Sequence, residues 1–140
     1  MKKALSILAA ALAVCVAPAQ KDDTNPFLPI QVPFKMAGVQ YHARIERSAV
    51  LSSPQWNPTK SLPVRLDEVE RVARRELRKL VQDEALWNVD EFTIKRVAGT
   101  EHWYYLVGLS ESPRTTNSDY ATAFFVDFDG KPGVTDPATK

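Results

Sequence analysis

The 140 residues leave room for one domain plus tails. The hydrophobic share of 44% and charged share of 25% are those of a globular protein, which excludes wholesale disorder. A formal charge of +1 gives no global electrostatic basis for binding nucleic acid or an anionic membrane surface.

The first twenty residues, MKKALSILAAALAVCVAPAQ, have the three parts of a secretory signal. Lys2 and Lys3 form the positive end, Ala4 to Val16 form an apolar run, and Ala17-Pro18-Ala19 fits the small-x-small rule for cleavage before Gln20. The apolar run is short against the roughly 20 residues needed to span a bilayer, so no stable membrane insertion is expected after cleavage. Lipid attachment at Cys15 is disfavoured, because Leu12-Ala13-Val14 places a bulky residue where a lipobox carries a small one. Cleavage removes the only cysteine, and with it disulfides, thiol nucleophiles and thiolate metal ligands. It also leaves 16 basic residues against 17 acidic ones, a net charge of −1. The expected location is periplasmic or extracellular.

Residues 20–38 carry Pro26, Pro29 and Pro33 and read as an extended leader, with Phe27, Leu28 and Phe34 available to touch the domain surface. The alternation Val39, Tyr41, Ala43, Ile45 against Gln40, His42, Arg44, Glu46 predicts a first strand over 39–51, weaker beyond Ile45. SSPQWNPTKSLP then reads as a loop, with Trp56 tucked under the domain as a plug. In LDEVERVARRELRKLVQDE, Leu66, Val69, Val72, Ala73, Leu77, Leu80 and Val81 form one apolar stripe at three- and four-residue spacing, which predicts a helix. Asp67, Glu68 and Glu70 lie early while Arg74, Arg75, Arg78 and Lys79 lie late, complementing the helix dipole. Asp67–Arg71 and Glu70–Arg74 are available as ion pairs, and Arg65 supplies no good N-cap. Its basic residues read as a solvated, charge-paired face rather than a nucleic-acid surface.

Beyond Trp87-Asn88 the period becomes two. A strand over about 90–98 meets a Gly99-Thr100 hairpin turn, EHWYYLVGLSE is its partner, and a polar connection over 112–118 follows. DYATAFFVDFDG makes a third strand, with Thr122, Phe124, Val126 and Phe128 on one face and an Asp129-Gly130 turn at its end. In the middle strand Trp103, Tyr105, Val107 and Leu109 are assigned to the helix-facing core, with the Tyr105 hydroxyl at a polar edge or on a backbone group. His102, Tyr104, Leu106 and Gly108 take the other face, leaving His102 and Tyr104 as an exposed pair and candidate binding surface. The predicted organisation is a signal peptide at 1–19, a Pro-rich leader at 20–38, one α+β domain at 39–130 and a polar tail at 131–140. The predicted fold is α+β, one helix packed across an antiparallel sheet of about four strands in the order strand, loop, helix, three-stranded meander.

The helix LDEVERVARREL, then W-x-V-x-x-F-x-I, WYYLVGL and FFVDFDGKPG, together resemble the PepSY-like group of small exported bacterial domains, over about residues 62–133. That resemblance implies a cystatin-like arrangement and a non-enzymatic envelope or extracellular role, in some relatives proposed to be the restraint of proteases. It transfers no functional residue to a numbered position here, and this chain holds one such helix rather than a tandem.

Catalytic and cofactor chemistry has little support. His42 and His102 fall on different strands without H-x₃-H or H-E-x-x-H spacing. There is no G-x-S-x-G elbow and no phosphate-cradling glycine loop, and Gly108 reads as a packing or bulge position. Asp127 and Asp129 have the i,i+2 spacing of a cation site, but Phe125 stands where a calcium loop needs an acid, so a turn is the expected role. No cofactor or metal is expected. Three functions remain: a protein- or peptide-binding or inhibitory module, a small hydrolase or ligand-binding domain whose helix–sheet pocket enlists His102, Tyr104, Tyr105 and a carboxylate, and a structural envelope protein.

Overall fold

Alternating apolar residues and one helical stripe organise the chain, and the computed structural model describes residues 28–111 and 121–138, together with the backbone of 14–17. The signal cleavage site, Phe27 and the 112–118 connection lie outside the described residues. In order, the elements are β1 (Val14–Ala17), β2 (Ile30–Met36), β3 (Val39–Ile45), α1 (Arg47–Ser52), α2 (Leu66–Leu77), a 3-10 turn (Glu84–Leu86), β4 (Trp87–Arg96), β5 (Trp103–Glu111), β6 (Ala121–Asp127) and β7 (Val134–Pro137).

β4, β5 and β6 form an antiparallel meander, with β4 and β5 paired from Trp87↔Glu111 to Arg96↔Trp103 and β5 and β6 from Tyr104↔Asp127 to Ser110↔Ala121. β1 joins the outer edge of β4 in parallel. A second antiparallel sheet has the order β2-β3-β7. The expectation of one helix across a single sheet of about four strands, cystatin-like, is therefore corrected. Among the described residues the molecule is mostly β, two three-stranded antiparallel sheets, one of them edged by the parallel β1, with one substantial helix. Segments read as leader and tail supply β2 and β7, and the weak end of the first strand is the short helix α1.

The helix-side core follows the sequence pattern. Val69, Val72, Ala73 and Leu77 of α2 are buried with Phe92, Ile94, Trp103, Tyr105, Val107, Leu109, Phe124, Val126 and Phe128. Each large apolar side chain so placed contributes about 1.5–3 kcal/mol relative to exposure. α2 ends at Leu77, earlier than the stripe suggests, because Lys79 N–H and Leu80 N–H bond three residues back, to Glu76 O and Leu77 O. Leu80 and Val81 still pack on the core from this tightened turn. No side chain caps the start at Arg65. Glu70–Arg74 forms at 2.7 Å, whereas Asp67 pairs with Arg65 at 3.0 Å.

Trp56 is buried as a plug, edge-on to Trp103 at 5.2 Å and to Phe128 at 5.7 Å. Its indole N–H reaches the carbonyls of Lys60 and Ser61 at 3.2 and 3.1 Å. The Tyr105 hydroxyl donates to Val64 O at 2.9 Å, the backbone partner its position demanded. Burial pushes that phenol up to about 12.

The opposite face of the meander is covered rather than open. Tyr104 and Phe125 pack with Ile30, Ala43, Ile45, Val50 and Val97 in a second core. The β2–β3 hairpin crosses β6 so that Ile30 and Ile45 lie on this side, while Phe34 reaches Phe124 at 6.3 Å on the helix side. β6 then turns at Gly130, whose φ of 79° is in the left-handed region that favours glycine. Residues 131–133 run back along its outer edge. Val126 pairs with Pro132, Gly133 N–H donates to Phe125 O at 2.8 Å, and the chain passes on into β7 beside β3.

Candidate functional site at the β4 edge

The pair proposed as an exposed surface separates in the structure. Tyr104 is 3% exposed and packs against Phe125 at 5.6 Å. Its exposure is corrected: the half-stripe of smaller residues is roofed by the second sheet. His102 is half-buried, and its Nδ1–H reaches the Ser53 carbonyl at 3.0 Å. Gln55 pairs with His102, and Trp56 N–H bonds Glu101 O at 3.0 Å. His102 thus fastens the Trp56 loop to the start of β5.

The Asp127 carboxylate is used by its turn. Oδ1 accepts from Asp129 N–H and Lys131 N–H, each at 2.9 Å, and the Asp127 N–H donates to Lys131 O. Burial raises its pKa above the ordinary 3.8, against the lowering by those two N–H donors. The arrangement matches the turn role expected of Asp127-Phe128-Asp129-Gly130. Among the described residues no group of three or more His, Cys, Asp or Glu is placed to hold a metal ion.

Among the described residues, two surface clefts have a defined lining. One, of about 320 Å³, is lined by Gln31, His42, Arg44, Asp136, Pro137 and Ala138, with Arg44 and Asp136 in an ion pair at 3.2 Å. The other, of about 300 Å³, lies between the β2–β3 tip and the end of α2, lined largely by Met36, Leu80, Val81, Leu86 and Trp87. Neither gathers His102, Tyr104, Tyr105 and a carboxylate. Between helix and sheet, Val69, Ala73, Leu77, Tyr105 and Val107 are all at 0% exposure, so this part of the interface is filled by side chains.

The outer edge of β4 is the candidate site. On one side β4 is paired to β5, and on the other the described segment beside it is the four-residue β1. Its register is Val14↔Phe92, Cys15↔Thr93, Val16↔Ile94 and Ala17↔Lys95. The contacts of α2 concentrate on β5 and β6 and those of the hairpin on β6, so both covering layers are centred away from β4. Phe92 and Ile94 point to the helix side, while Glu91, Thr93 and Lys95 share the other face. Thr93 Oγ1 donates to Glu91 Oε1 at 2.5 Å. A register shift between Val89 and Glu91 ends the regular edge at one end. At the other, Arg96 lies over the Trp103 ring at 5.6 Å and pairs with Glu101 at 3.7 Å.

No family model, no curated protein and no solved structure matches this chain. The alternation Glu91, Thr93, Lys95 was visible in the sequence as the polar side of a strand. That this strand lies at an edge follows only from the topology.

Proposed function

We propose that the chain is an exported, non-catalytic module that binds protein or peptide by adding a partner strand to β4. The observation that carries this reading is the pairing of β1 along Phe92–Lys95, since it demonstrates a strand-sized berth on that edge. Strand addition draws affinity from main-chain hydrogen bonds and selectivity from alternate side chains, so it requires no catalytic group. Export supports the same reading, because signal cleavage before Gln20 removes residues 14–17 and leaves the edge to other strands. The described side chains of both cores lie between Ile30 and Phe128, within the chain that remains after cleavage.

The test is a titration of isotope-labelled chain 20–140 with a synthetic peptide of residues 12–20, followed by amide shifts. Saturable shifts concentrated on residues 91–96 are expected, with a scrambled peptide weaker. Shifts that fail to saturate, or that gather elsewhere, would remove the edge as the binding site.

A further inference from the structure

We infer that the strand which occupies β4 once the signal peptide is gone is the β4 of a second copy of this chain, antiparallel and centred on Thr93. The inference rests on the reading of β4 as a strand-accepting edge and names the partner. An antiparallel pair related by a two-fold axis through Thr93 sets residues equidistant from Thr93 opposite one another. Glu91 then faces Lys95 of the second copy, and Lys95 faces its Glu91, while Thr93 faces Thr93. On the helix side Phe92 and Ile94 meet in the same reciprocal way. Opposite charges, threonine pairs and an aromatic beside a β-branched residue are each favourable across strands.

Charges on an edge strand ordinarily deter pairing. Here the two signs are placed symmetrically, so the guard against other strands becomes a match for an antiparallel copy. A parallel copy in register would instead set Glu91 against Glu91 and Lys95 against Lys95. The two-fold axis, perpendicular to the sheet, keeps both helices on one side and joins β6-β5-β4 to β4-β5-β6 as a continuous six-stranded sheet. The register shift at Val89/Glu91 limits the regular contact to residues 91–96 and leaves Asp90 out of it.

Chain 20–140 and the full chain are compared by sedimentation equilibrium over a concentration series. Dimer is expected for chain 20–140 and monomer for the full chain, whose edge β1 already fills. Glu91→Lys and Lys95→Glu, each creating two like-charge pairs, should each weaken the dimer about tenfold. The double variant E91K/K95E should restore it, a rescue that general damage to folding would not give. Circular dichroism and melting curves of all three variants guard against misfolding. A monomeric chain 20–140, or a dimer indifferent to both single reversals, overturns the inference. A monomer that still binds the 12–20 peptide at residues 91–96 overturns the self-pairing alone. A charge-dependent dimer that binds no added peptide keeps the self-pairing and removes the wider binding role.

Discussion

The two lateral edges of the central sheet are finished differently. The β6 edge is closed from within the domain: residues 131–133 fold back onto it, and Gly133 fits where a Cβ would strike the Arg44 carbonyl and lie 3.0 Å from Phe125 Cβ. The β4 edge is covered by four residues that belong to the predicted signal peptide. A closure bound into both sheets is part of the fold, whereas a short strand paired along one edge is a cover that can be exchanged. That contrast separates an edge built into the fold from one proposed to accept a partner strand.

The contrast can be broken at the sealed edge first. Gly133→Ala forces a methyl group against the Arg44 backbone carbonyl where the two sheets meet, and should cost about 3 kcal/mol, the upper part of the overpacking range. Urea denaturation measures it, and a loss below about 0.5 kcal/mol would show that the seal yields easily. Asp127→Ala strands the Asp129 and Lys131 N–H groups and should cost about 2 kcal/mol at the same edge.

Asp127→Asn keeps an acceptor and removes the charge. Because burial raises the Asp127 pKa, the folded chain holds that proton more tightly than the unfolded one. Its contribution to stability is full below the ordinary 3.8 and is lost as pH rises through the elevated folded value. The Asn variant should therefore gain on the wild type as pH is raised from about 4 to 7, read from paired denaturation curves. A difference that is flat or falls over that window contradicts the assignment.

Away from both edges, Tyr105→Phe loses one buried hydrogen bond to Val64 O and should cost about 1 kcal/mol, with no effect on association. Smallest in stability and most pointed is removal of residues 1–19. The expected change is under about 0.5 kcal/mol, because the described core side chains lie between Ile30 and Phe128 and an exposed edge pairing is marginal alone. Hydrogen exchange followed at low protein concentration should nonetheless quicken at the outward-facing amides of Phe92–Lys95 and stay unchanged along β6. Equal loss of protection at both edges would erase the distinction.

What the sequence revealed depended on how many faces of an element are buried. The α2 stripe and the alternations of β5 and β6 were legible, since each sets a large apolar face against one core. β2 was not, because Pro26, Pro29 and Pro33 read as an extended leader. Yet Ile30, Val32, Phe34 and Met36 alternate with Gln31, Pro33 and Lys35, and an edge strand tolerates a residue with no N–H to donate. β7, with Val134-Thr135-Asp136-Pro137, carries too little apolar content to announce itself, and its place is set by the passage through Gly133. Tyr104 was misread for a related reason. Nothing in its own strand records the second sheet above it. The β4 edge was not legible: the sequence shows the alternation Glu91, Thr93, Lys95, but not that this strand ends the meander or that Thr93 is buried.

The β3–β7 pairing also governs the order in which this protein can be completed. Gln40 O accepts from Ala138 N–H, so residues near the two ends of the described fold must meet. Synthesis runs from the N-terminus, and the β2–β3 hairpin, a local contact, can close early. The strand that finishes its sheet is Val134–Pro137, made long after that hairpin. The β2–β3–β7 sheet therefore cannot be completed until residues 134–137 exist, and a chain cut short before them is one that has not yet been able to lock.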